Sequence, residues 1–123
     1  MTTTAPDPVC GDELPLPQEA EDLLLWLAAE RGRAQATLGA YRRDLRTYAA
    51  WLAQRRLPLR DVGETDVIAY IAHLRARGLA PSSVARSLVS VRALHRFLAA
   101  EGQLPADPTA HVERPRVPRG LPK

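Results

Sequence analysis

The chain has one cysteine, one methionine and one phenylalanine among its 123 residues, and a single lysine at its last position. One cysteine allows neither an internal disulfide nor a cysteine-based metal site. Cys10 lies in a polar, proline-bearing stretch and reads as an exposed thiol without a role. No apolar run approaches the roughly 20 residues a membrane span needs, and the first residues lack the basic-then-apolar order of a signal peptide. A soluble, cytoplasmic protein with no membrane partner is expected. There is no glycine-rich phosphate loop, no recognisable Ser/His/Asp set and no His, Cys or carboxylate cluster at metal spacing. The sequence therefore points to no cofactor, no metal, no small-molecule ligand and no catalysis by this chain alone. Nor does any segment alternate apolar and polar residues over strand length, so no sheet is expected.

What is present is charge of one kind in one place. The formal net charge is only +3. Residues 1 to 30 hold Asp7, Asp12, Glu13, Glu19, Glu21, Asp22 and Glu30 with no basic residue, giving −7. The remainder carries all 17 basic residues against seven acidic ones, giving +10, and every basic residue but one is arginine. The planar guanidinium fork suits two-point contacts with phosphate and guanine, so this bias favours a polyanionic partner. A genome rich in alanine, leucine and arginine codons would give the same bias without a function. With 46% hydrophobic residues, the length fits one domain able to bury a core.

Residues 1 to 16 mix Thr, Pro, Asp and Gly without periodicity and read as a disordered leader. From Gln18 to Arg31 the chain turns apolar and helix-forming, with Glu19, Glu21 and Asp22 in the first turn and Gly32 as the stop. A second helix is expected from Gln35 to about Arg56, where Leu38, Tyr41, Leu45, Tyr48 and Leu52 recur at steps of three and four. Pro58 breaks it, and a short loop leads to a third helix marked by Val67, Tyr70, Ile71 and Leu74 and closed by Gly78. Pro81 suits the first position of a fourth helix. There Val84, Leu88, Val91, His95 and Leu98 share one face, widened by Leu94 and Phe97, until Gly102. One further turn is expected at Asp107 to Ala110, followed by a basic, proline-rich tail. The fold class is all-α, an orthogonal four-helix bundle.

The same periodicity locates the arginines. At 100° per residue, Arg42, Arg46 and Arg43 lie roughly 80°, 120° and 180° from the centre of the second helix's apolar stripe. On the fourth helix Arg92, Arg96, Ser82 and Arg86 fall between roughly 80° and 160° from the apolar centre. Arginines there neutralise phosphates and release counterions, while Thr37, Ser82 and Ser83 offer hydroxyls near helix starts. A solvated face with weak surface pairs, such as Arg43 or Arg46 with Asp44, is the plainer account of each arginine taken singly. Trp26, Tyr41, Tyr48, Trp51 and Tyr70 fall on or near apolar stripes and read as core rather than base-stacking platforms. His95, on an apolar face, reads as a core histidine.

The run TLGAYRRDL from Thr37 to Leu45, followed by Tyr48 and Leu52, resembles the N-terminal core-binding domain of tyrosine recombinases, especially the Xer type. WLAAERG at Trp26 to Gly32, the stretch from Asp61 to Gly102, and DPTAHVERPRVPRGLPK at Asp107 to Lys123 are similar to its first helix, its third and fourth helices and its interdomain linker, in order. The resemblance covers residues 18 to 123. It implies a SAM-like bundle at 17–111 that clamps a double-stranded recombination half-site, with 112–123 a linker toward a catalytic domain absent from this chain. The family's tyrosine nucleophile and its arginine, lysine and histidine partners belong to that absent domain. The His111 to Arg114 run falls in the linker and does not stand for the family's His-x-x-Arg. At full length, the implied partners are other recombinase protomers in a synaptic tetramer. Docking would use Thr37, Arg42, Arg43, Arg46, Ser82, Ser83, Arg86, Arg92 and Arg96. If six phosphates are neutralised, log affinity falls against log salt with a slope near −5, at about −0.9 per phosphate. The alternative from another class is a helical protein-interaction module that regulates an intact recombinase. Two positions depart from the family's pattern: Ala34 and Gly63 stand where serine and threonine caps are common, and each helix start is expected to lose roughly 1 kcal/mol.

Overall fold

The computed structural model describes residues 15–30 and 32–113. They form four α-helices and no strand: α1 (Gln18–Glu30), α2 (Gln35–Gln54), α3 (Glu64–Ala76) and α4 (Pro81–Ala100). A single 3-10 turn at Leu59–Asp61 precedes α3, where the sequence pattern suggested only a loop. No helix among the described residues is long and apolar enough to cross a membrane. The chain divides between Pro58 and Leu59 into two compact units, each with its own pair of helices.

In the first unit α1 and α2 pack against one another. Ala20, Leu23, Leu24 and Leu27 of α1 are buried, at spacings of three and four that place them on one side of the helix. On α2 the buried residues are Asp44, Leu45, Tyr48, Trp51 and Leu52. Leu38 and Tyr41, at the start of the same stripe, are only half-buried. Leu16 is buried as well, so the packed structure begins inside the stretch that composition marks as leader. The rest of that leader, residues 1–14, lies outside the described residues, as does the tail from Arg114 onward. Trp26 departs from the core expectation at 37% exposed, on the edge of the α1 stripe beside the exposed Leu25.

In the second unit α3 and α4 pack together. Val67, Tyr70, Ile71 and Leu74 of α3 are buried, as their spacing predicts. Burial on α4 is wider than one stripe, taking in Val84, Ser87, Leu88, Ser90, Val91, Leu94, His95 and Leu98. The buried set continues past the helix through Leu104, Thr109 and Val112. Val112 thus belongs to the packed unit, although composition groups it with the linker.

Three helices end in the same device. Behind α3, Gly78 takes φ +88° and the Leu79 amide donates back to the Leu74 carbonyl at 3.3 Å. Behind α4, Gly102 takes φ +79° and the Gln103 amide donates to Leu98 at 2.9 Å. Behind α2 the bonds are the same, Leu57 to Leu52 and Arg56 to Ala53, both at 3.0 Å. The left-handed residue there is Arg56, at φ +54°. An L residue with a side chain pays a steric penalty in that region that glycine avoids.

Helix starts follow the sequence reading in one case and improve on it in the other. Ala34 gives α2 no side-chain cap. Gly63 cannot cap α3 either, but Asp66, three residues on, accepts the Gly63 amide at 2.9 Å through its Oδ2. That is the reciprocal half of a capping box, and it satisfies one donor that a missing threonine cap would not have reached.

Candidate nucleic-acid interface

On α2 the arginines leave the buried stripe by degrees. Arg43 is exposed, while Arg42 and Arg46 are half-buried. Thr37, at the start of the helix, is half-buried too. Arg42 is not a bare cation. Its Nη1 donates to Glu21 Oε2 at 3.0 Å and its Nη2 to Glu21 Oε1 at 3.3 Å. The partner is set by antiparallel packing over a short connection: Glu21 lies nine residues before the end of α1 and Arg42 seven residues into α2. At 1.5 Å per residue those offsets are about 14 and 11 Å, so the two side chains come level.

On α4, Ser82, Arg86 and Arg96 are exposed and Ser83 is half-buried. Arg92, predicted as a member of the same face, is differently engaged. Its Nη1 donates to the Thr109 carbonyl at 2.8 Å and its Nη2 to the Val112 carbonyl at 2.9 Å. Asp107 prepares that seat: its Oδ1 accepts from both the Thr109 amide at 2.8 Å and the Thr109 hydroxyl at 2.6 Å. Thr109 is fully buried. The guanidinium therefore clasps the chain just after α4. Carbonyls carry no net charge, so Arg92 keeps its full positive charge while using those donors.

Close to this clasp lies His95, also fully buried. Burial lowers its imidazole from the ordinary 6.5 to about 4, against an opposing pull from the Asp107 carboxylate. It is a neutral core histidine at pH 7, as its place on an apolar face suggested. Among the described residues no group of three or more His, Cys, Asp or Glu could hold a metal ion.

Periodicity placed every proposed contact on its helix, but it did not reveal the partners of Arg42 and Arg92. Glu21 is invisible to it because the contact joins two helices. The Thr109 seat had a local signal: Asp107-Pro108-Thr109 is the Asp-Pro turn opening, and the Ala110 amide closes it on the Asp107 carbonyl at 3.2 Å. Arg55 is a further addition, lying 4.7 Å over the Trp51 ring at the end of α2.

Comparison with known proteins agrees with this architecture. The family described as phage integrase, N-terminal SAM-like domain, matches residues 20–102. The chain is 38% identical over 106 residues to tyrosine recombinase XerC of Roseiflexus sp. (strain RS-1), covering 85% of this chain and 34% of that protein. It is 41% identical over 103 residues to tyrosine recombinase XerD of Agrobacterium fabrum, covering 84% and 31%. Against tyrosine recombinase XerD of Mycobacterium tuberculosis the figures are 44% over 105 residues, 79% and 34%. The chain spans about a third of the length of these curated relatives. With its four helices matched almost from end to end, the chain belongs to the family of phage-integrase N-terminal SAM-like domains, in the form similar to that of Xer tyrosine recombinases.

Proposed function

We propose that this chain is the DNA-gripping part of a tyrosine recombinase, holding a duplex half-site for strand exchange while the chemistry resides in a catalytic domain beyond residues 112–123. The observation that carries this reading is the pair of arginine-bearing helix faces. α2 and α4, each in its own unit, turn arginines and small hydroxyls away from a buried stripe, in a segment at +10. Arg43, Arg46, Arg86 and Arg96 take phosphates or guanine edges, and Thr37, Ser82 and Ser83 orient the docking. Arg42 joins them when Glu21 releases it, and Arg92 contributes its charge from the clasp. The DNA-binding part reaches from Leu16 through Val112, one residue beyond the expected 17–111 at each end. At full length the protomers assemble as a tetramer on two paired sites.

The test is a binding titration at several salt concentrations on a palindromic recombination site and on a scrambled duplex of equal length. Six phosphates give a log–log slope near −5, and each phosphate fewer makes it shallower by about 0.9. A slope near zero, or no binding at low salt, rules the reading out. Glutamate at Arg86 and Arg96 together should abolish binding to duplex. A protein-interaction module is favoured by the exposure of Leu25 at 67% and of Trp26 beside it. Under that reading the same double variant leaves the partner bound.

A further inference from the structure

Glu21 and Arg42 meet as a two-point pair, with each guanidinium nitrogen facing its own carboxylate oxygen. A backbone phosphate presents the same arrangement of two acceptor oxygens to the same fork. The fork cannot serve both at once. Each side chain keeps 38% of its surface in contact with solvent, so the pair is open to an incoming anion. An exposed pair of this kind is readily exchanged, because water already screens most of its attraction. Glu21 is itself firmly placed: its amide donates to the Pro17 carbonyl at 3.1 Å, and its neighbours Ala20, Leu23 and Leu24 are buried.

We infer that Glu21 is an internal stand-in for phosphate, occupying the fork of Arg42 until duplex DNA competes for it and so moderating the domain's grip. This rests on the DNA-binding reading above. It assigns a role to the charge asymmetry of the sequence, in which seven acidic residues and no basic one precede residue 31. One of the acids is spent on an arginine of the binding face. Binding is weakened by the cost of breaking the pair, and Arg42 is kept extended and ready when it breaks.

The experiment compares E21Q with E19Q in the full chain, on the palindromic duplex across a range of salt. Glutamine is isosteric and removes only the charge. Glu19 supplies the control, since it carries the same charge on the same helix turn but, two residues away, points about 200° from Glu21. E21Q should bind about two- to fivefold more tightly than wild type, the size of a half-exposed ion pair that no longer has to be broken. Its salt slope should stay close to that of wild type, because Arg42 meets the same phosphate in both and only the competing carboxylate is gone. E19Q should gain less and likewise leave the slope unchanged. In an R42Q background the advantage of E21Q should shrink to that of E19Q. The inference is overturned if E21Q matches E19Q, binds more weakly than wild type, or keeps its advantage without Arg42. Those outcomes leave the DNA-binding reading intact; a wild-type chain that fails to bind duplex at low salt overturns both. Glu21→Ala should move affinity in the same direction, which guards against an effect peculiar to glutamine.

Discussion

Arg42 in the first unit and Arg92 in the second leave the flanks of their helices in similar ways and are held by opposite chemistry. Arg42 meets a carboxylate at a half-exposed surface, and the pair cancels a charge. Arg92 meets two backbone carbonyls, one of them on a fully buried residue, and cancels none. Salt and competing anions act on the first arrangement and hardly touch the second. One arginine is therefore exchangeable, and the other belongs to the architecture of its unit. Residue type and angular position on a helix do not separate those roles; the partner does.

The second unit should also respond to acid through His95. In the folded chain its pKa is about 4, below the 6.5 of a free imidazole, so the unfolded chain takes up the proton first. The stability that depends on its neutral form is complete above about pH 6.5 and is lost as pH falls toward 4. The loss should reach about 3 kcal/mol at pH 4, taking 1.36 kcal/mol for each pH unit. Denaturant unfolding at a series of pH values checks it, and H95Q should flatten the curve over that window. A wild-type curve as flat as that of H95Q would show that His95 does not set the acid response.

The next largest effect separates the two arginines directly. R92M keeps most of the side-chain volume but withdraws both donors from the Thr109 and Val112 carbonyls. A hydrogen bond to a charged group contributes about 1.5–3 kcal/mol, so the variant should lose about 2 kcal/mol or more. Amide exchange should accelerate at Thr109 to Glu113 more than within α4. Uniform acceleration along α4 would mean that Arg92 stabilises the helix as a whole rather than the clasp.

Much of this was legible in the sequence because the signals were local. The steps of three and four through Leu45, Tyr48 and Leu52, and the left-handed glycines Gly78 and Gly102, place helices and their ends within a few residues. The angular positions of Arg43, Arg86 and Arg96 follow from the same period. What escaped depends on contacts between elements. Glu21 reads as an acid favouring the positive end of its helix, which is true and hides its second role. Arg92 reads as surface because no periodicity describes the irregular stretch that folds back onto it. Asp44 reads as a surface acid but is buried, beside Leu45 in the buried part of α2.

Helix ends offer a smaller contrast, between α2 and the helices of the second unit. Gly78 and Gly102 close the helices of the second unit without strain, whereas Arg56 closes α2 in the same left-handed conformation. Replacing Arg56 with glycine should stabilise the chain by about 1 kcal/mol, the steric penalty less the entropy glycine gains when unfolded. Thermal melts of R56G check the sign. R77G, at a position with φ −79°, should instead destabilise. If both changes act alike, the left-handed geometry of Arg56 is not what decides them.

The smallest effect is the coupling between Glu21 and Arg42, and it is the sharpest test of the difference between the two arginines. A double-mutant cycle of E21Q and R42Q isolates the pair from whatever each side chain does alone. At low ionic strength the coupling should be about 0.2–1 kcal/mol, as for other exposed pairs. It should shrink toward zero near 1 M salt, where the Debye length falls to about 3 Å. The loss caused by R92M should persist there, because hydrogen bonds to buried carbonyls are shielded from mobile ions. Unfolding of all four variants and of R92M at low and high salt places both quantities on one scale. If the Glu21–Arg42 coupling survives high salt, the pair is structural, like the clasp, and Arg42 is not the exchangeable arginine described above.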